Sequence, residues 1–240
     1  MASRMDSTGA TVSSTRHWHP MIPGLSFVLL VAALNVTLNG FLSGVGALLP
    51  PSVQFDYAVS VSLPPLIAGG LVVATGVLAV CSLALFVRSV GNDSSSGVGP
   101  VSLYDTLRRV GRATGVVAVG LLALPLGFAL LVVPGLVVLV YLPFVFFGVV
   151  LDGRTVAGAI AESHTRISAQ PGIIAATSLA TALALLGFGL GGILSTVLAP
   201  AVEFVVGGTG SALVVLVGVY FLTTLYQRPQ PQASRKNGQL

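Results

Sequence analysis

Charge is what this sequence has least of. It carries 11 basic and 7 acidic residues among 240, or 8%, where a soluble domain carries about a quarter. So few ionised groups cannot build a water-facing surface, and lipid has to cover much of the exterior. Cysteine is nearly missing. Cys81 is alone, which excludes an intramolecular disulfide and leaves the redox compartment unread. It lies inside an apolar run and reads as a small packing residue. Lysine is reduced to Lys236 against ten arginines. With Gly, Ala and Val abundant, this composition points to a GC-rich prokaryotic genome.

Chemistry-bearing groups are missing from the apolar runs as well. None of the runs contains an acid, a base or a histidine. An ionisable residue at mid-depth would mark a functional site, so its absence speaks against ion pumps and proton-coupled transporters. Ser178 and Ser195 have no intramembrane His, Asp or Lys beside them, which speaks against a serine-based intramembrane protease. There is no HExxH and no pair of intramembrane aspartates. The glycine-rich 187–192 lacks the lysine of a phosphate-binding loop. No catalytic residue, metal ligand set or cofactor site is expected, and the chain reads as a non-enzyme.

What is present is length and apolarity. Six apolar stretches occupy about 25–48, 65–87, 113–133, 135–151, 173–198 and 205–226. A hydrocarbon core of ~30 Å needs about 20 residues of helix. The stretch 113–151 would be about 58 Å long as one helix, too long for a single pass. Pro134-Gly135 offers a turn near its middle. A complete two-span hairpin and a partly re-entrant segment both remain open there. Pro125 and Pro143 each remove a backbone donor within it.

Threaded as six spans, the chain sorts its charge. Arg4, Arg16, Arg88, Arg108, Arg109, Arg112, Arg154, Arg166, Arg228, Arg235 and Lys236 all fall on one face, and the other carries only Asp56 and Glu203. This is the positive-inside bias. It predicts an all-α, polytopic bundle of six spans over 23–226 in a cell membrane. Polar, disordered tails at 1–22 and 227–240 are expected on the cytoplasmic side. The run after Pro23 is too long for a signal-peptide core and reads as a retained first span. The net charge of +4 does not point to nucleic acid, because the cations flank the spans and no aromatics alternate with them.

Two polar segments join the spans on the basic side. In 102–112, Ser102 and Asp105 resemble a helix-start box, with Leu103, Leu107 and Val110 at helical spacing and Arg108, Arg109 and Arg112 behind them. In 154–167, Val156, Ala159, Ile160, Ser163 and Ile167 form one face, while Glu162 and Arg166 sit four apart on the other. Both are expected to be short amphipathic helices lying at the cytoplasmic interface. The densest polar cluster is Asp152, Arg154, Glu162, His164 and Arg166, read mainly as a structural ion-pair network. Arg108, Arg109, Arg112, Arg154 and Arg166 are the candidate contacts to lipid headgroups or a protein partner. Asn35, Thr37 and Asn39 are the candidate intramembrane polar residues, serving helix packing or lining a path. GxxxG steps at Gly40/Gly44 and Gly187/Gly191 could join helices within one chain or between copies.

The run Pro134-Gly135, Pro143, Asp152-Gly153, Ala159, Ser163 and Pro171-Gly172 resembles a group of prokaryotic six-helix proteins related to the glycerophosphoryl diester phosphodiesterase membrane domain. These share a Pro-Gly hairpin followed by a loop with Ala and Ser four residues apart. Glu162 and His164 flank the serine here, where the group often has a basic or aromatic residue. The resemblance implies architecture rather than chemistry, since the chain has no acid-rich soluble region of the kind a phosphodiesterase catalytic domain carries. The expected role is a membrane scaffold interacting with lipid or a partner. The alternative is a transporter or permease component for a neutral or lipidic solute.

Overall fold

The computed structural model describes residues 20–48, 50, 63–92, 103–130, 132–169, 172, 174–179 and 200–228. Residues 1–19 and 229–240 of the polar tails, the external loop over 51–62, the Gly/Ser stretch over 93–102 and most of the run 173–198, with Gly187/Gly191, lie outside them. The described residues fold as α-helices α1 (Met21–Gly46), α2 (Pro65–Asn92), α3 (Leu103–Leu130), α4 (Val132–Val150), α5 (Val156–Ala169) and α6 (Pro200–Tyr226). A further helical stretch covers 174–179.

Four segments are long and apolar enough to cross a membrane: Met21–Gly46, Pro65–Gly91, Val133–Val150 and Gly207–Tyr226. Their outer faces keep large apolar side chains exposed, Leu66 at 92% among them. Such a surface is stable in hydrocarbon and not in water. A multi-pass membrane protein is the class this defines.

Glycines set how the helices meet. A Cβ on Gly24 would stand 3.4 Å from the Phe86 ring, and one on Gly44 would stand 3.2 Å from Pro65. Low numbers on α1 thus meet high numbers on α2, so the pair is antiparallel. The α3–α4 pair runs the same way. A Cβ on Gly120 would strike Leu142 at 2.6 Å, and one on Gly127 would come within 2.9 Å of the Gly135 backbone. α6 lies antiparallel to α1, with Gly24 facing Leu216 and Gly208 facing Asn35.

Two details differ from the expected layout. α3 ends at Leu130 and α4 starts at Val132, so Pro134-Gly135 belong to the first turn of α4 rather than to a turn between the helices. Proline is tolerated there because first-turn N–H groups have no intrahelical acceptor. The segment 102–112 is not separate, since from Leu103 onward it is the opening part of α3. At 28 residues that helix is about 42 Å long. It exceeds the hydrocarbon thickness, and its arginine-bearing first turns project from the apolar part. α3 and α4 also continue through Pro125 and Pro143 without a break.

The best-packed region is the end of α4. Phe144, Phe147 and Val149 are completely buried, against Val87 of α2, Ala113 and Val116 of α3, Ala159 and Ile167 of α5, and Leu222 and Tyr226 of α6. Phe147 meets Tyr226 edge-on at 5.6 Å and Phe144 at 6.2 Å, the geometry aromatic quadrupoles favour.

Candidate functional site

Above this core lies the loop 151–155 between α4 and α5. Leu151 N–H donates to Phe147 O at 2.8 Å and ends α4. Gly153, at φ +67°, then reverses the chain, a conformation that side chains with a Cβ avoid. Thr155 starts α5. Its Oγ1 accepts the Gly158 N–H at 3.2 Å, an N-cap contact. The face of α5 turned to α4 consists of Ala159, Ser163 and Ile167, and Val156 and Ile160 remain exposed. That face is narrower than the five-residue face expected because the helices approach closely. A Cβ on Gly148 would stand 3.1 Å from that of Ala159. Ser163 Oγ donates back to Ala159 O at 2.7 Å and is buried. The Ala/Ser pair is therefore a packing device, and the hydroxyl's donor is taken by the helix backbone.

Four of the five residues in the expected polar cluster form one chain of contacts. Arg154 lies 3.5 Å from Asp152 and 3.7 Å from Glu162, and Arg166 Nε donates to Glu162 Oε1 at 3.2 Å. His164 turns away to face Tyr141, with ring centroids 6.3 Å apart. A Gly, a Tyr and a Gln, none of them signalled by local spacing, complete the site. Tyr226 donates its hydroxyl to Asp152 Oδ2 at 2.7 Å. Its own carbonyl accepts from Arg166 Nη1 at 2.6 Å, and the guanidinium lies 4.1 Å above its ring, a cation–π contact. Gln227 donates to Gly91 O at 2.8 Å. These bonds fasten the ends of α6, α2 and α4 together.

The arginines of α3 hold the loop from the other side. Arg109 donates to Leu151 O at 3.3 Å, and Arg112 reaches Gly153 O at 3.4 Å and Arg154 O at 3.5 Å. Arg108 is exposed. All five candidate headgroup arginines lie at the one end of the bundle where α4 ends and α5 lies. Asn35 and Thr37 stand elsewhere, in the interior between helices. Thr37 Oγ1 is 3.4 Å from Thr75 Oγ1 of α2, and Asn35 faces Gly208 of α6. Asn39 also has an interaction of its own. These contacts join α1 to its neighbours.

The Arg154 bridges are largely open to water and contribute about 0–1 kcal/mol each. The Tyr226 hydroxyl is better enclosed. Tyr226→Phe is expected to destabilise the protein by about 1 kcal/mol, measured as a lower thermal midpoint in detergent. An unchanged midpoint would show that this bond carries no weight.

Among the described residues, no three His, Cys, Asp or Glu side chains gather as a metal site would require. No family model, curated protein or solved structure matches the chain. Geometry therefore defines the class: a multi-pass helical membrane protein with an arginine-rich, internally braced end.

Proposed function

We propose that this chain is a six-span protein of the cell membrane, with both termini cytoplasmic. It serves as a membrane scaffold that engages anionic headgroups through its basic end and has no catalytic site. The observation that carries the reading is the gathering of Arg108, Arg109, Arg112, Arg154 and Arg166 at one end of an apolar bundle. Guanidiniums at that depth reach lipid phosphates while their stems lie along apolar surface.

Chain direction supports six crossings. α5 lies at the basic end, and α6 ends there, through Tyr226 and Asp152. With 27 residues, α6 begins about 40 Å away, at the opposite end. Between α5 and α6 the sequence over 173–198 holds no charged residue, as a further crossing would require. Residues 113–130 of α3 are likewise uncharged. Kinship with the six-helix group named above belongs to the same proposal, and the Ala159/Ser163 packing gives its motif a structural reason.

The test is lipid capture. The full chain, reconstituted in bilayers of mixed phosphatidylcholine and phosphatidylglycerol and then extracted, is expected to retain phosphatidylglycerol above its bulk share. The triple substitution Arg108→Gln, Arg112→Gln and Arg154→Gln is expected to reduce that excess. Retention at the bulk ratio by the unsubstituted protein would refute the reading.

A further inference from the structure

The arginines that touch the α4–α5 segment fall into two groups. Arg154 and Arg166 are paired with acids, Arg154 with Asp152 and Glu162 and Arg166 with Glu162. Arg109 and Arg112 form no ion pair among the described residues, and both are only partly exposed. The acids nearest in the fold are already engaged. Asp152 also accepts the Tyr226 hydroxyl. Asp105, one turn before Arg109, is exposed and has an interaction of its own.

One glycine brings this second pair together. Arg109 and Arg112 are three apart on α3 and so share a face. The Arg109 guanidinium covers Gly153 where a side chain would begin: Cζ, Nη2 and Nε lie 2.8, 2.9 and 3.1 Å from the place of a Cβ. Arg112 Nη1 lies 3.4 Å from the carbonyl oxygen of the same residue. Two guanidiniums therefore rest on one residue, whose positive φ suits glycine. Each uses Nη1 to hold the loop, Arg109 through Leu151 O and Arg112 through Gly153 O and Arg154 O. A guanidinium has five N–H donors, so the Nε and Nη2 donors of each remain for another acceptor.

Carbonyl dipoles offset such charge only in part. Two half-desolvated cations gathered on one residue are a cost to the fold unless an anion joins them. We propose that Arg109 and Arg112, seated on Gly153, form a binding site for one phosphate group, carried by an anionic phospholipid headgroup or by a soluble phosphate. Planar guanidiniums suit it, since each can present two parallel donors to phosphate oxygens. The lipid form deepens the headgroup reading above and rests on it, and the soluble form does not. What the site adds to a merely basic surface is dependence on the shape of the 152–154 turn.

The experiment uses the full chain in non-ionic detergent and phosphate-free buffer. It is titrated separately with short-chain phosphatidylglycerol and with inorganic phosphate, and thermal stabilisation gives Kd. Arg109→Gln with Arg112→Gln is expected to weaken binding by about tenfold or more, through the loss of charge-assisted contacts. Gly153→Ala leaves every charge in place but puts a methyl group where the Arg109 guanidinium lies, and is expected to weaken binding by about fivefold. Arg228→Gln, at an exposed cation that makes none of these contacts, is expected to change it less than about twofold. Where Gly153→Ala or the double variant does not fold, Arg112→Lys keeps the charge but not the fork, and is expected to weaken binding by about threefold. Binding of phosphatidylglycerol that inorganic phosphate does not displace supports a lipid occupant. Binding of inorganic phosphate itself supports a soluble one. No binding of either by the unsubstituted protein overturns the site. So does an unchanged Kd in the double variant or in Gly153→Ala, or in Arg112→Lys where that variant is the one read. Phosphatidylglycerol capture from bilayers that persists in the double variant removes the site and leaves the scaffold reading standing. Phosphate binding by a protein that captures no lipid excess does the reverse.

Discussion

Gly127→Val is expected to force α3 away from α4 and to destabilise the protein by about 2–3 kcal/mol. The atoms a side chain would meet at position 127 belong to main chain: Cα and N of Gly135 at 2.9 Å and the carbonyl carbon of Pro134 at 3.2 Å. A flexible side chain could swing aside, but a backbone held in the first turn of a helix cannot. Relief requires the helices to part, and that separation loses contacts down their whole shared length. Gly127→Ala is expected to show the same effect at about 1 kcal/mol. Gly115 lies on the same helix with nothing within 4 Å of its Cβ position. Gly115→Ala is expected to be neutral, or stabilising by up to about 1 kcal/mol through helix propensity. Thermal midpoints in a single detergent separate the cases. Equal midpoints for Gly127→Ala and Gly115→Ala would mean that the hairpin is not closed at this point.

Phe147→Ala is expected to be larger still, about 3–5 kcal/mol. The ring is wholly buried and touches the rings of Phe144, Phe146 and Tyr226. No polar atom is exposed by its loss, so the cost is lost dispersion around a void that rigid helices cannot collapse. Tyr226 would lose the support beneath it, and with it the geometry of its bond to Asp152. The comparison is Val119→Ala, on the outer face of α3 at 67% exposure, expected to cost under about 1 kcal/mol. If the two variants unfold together, the packed centre of the molecule is not at the end of α4.

That the arginines share one end could be read from charge, because topology and charge share a cause. Counting crossings puts Arg109, Arg112, Arg154 and Arg166 on one side, and the bonds from α3 to the 151–155 loop, with Glu162 between Arg154 and Arg166, bring them together in space. Helix limits were harder to read. Pro134-Gly135 is good turn chemistry and equally good first-turn chemistry, and only the position of Gly127 distinguishes the two. The sequence changes from polar to apolar at Arg112 while α3 continues unbroken, and composition alone does not separate such a change from a break. Long-range bonds were not readable at all. Tyr226 and Asp152 are 74 positions apart, and nothing near either residue names the other. Glu162–Arg166 was readable because its partners are one turn apart. The Ala159/Ser163 spacing was visible as a pattern, but its reason lies in Gly148 on another helix.

The bond between Tyr226 and Asp152 also has a consequence for biogenesis. Insertion proceeds from the amino end, so the loop after α4 is made long before its clasp arrives. Until α6 has entered, Asp152 lacks the Tyr226 hydroxyl, and Arg166 has neither the carbonyl nor the ring it rests on. α6 thus acts as a latch, because its docking supplies the hydroxyl, carbonyl and ring that Asp152 and Arg166 engage in the folded bundle.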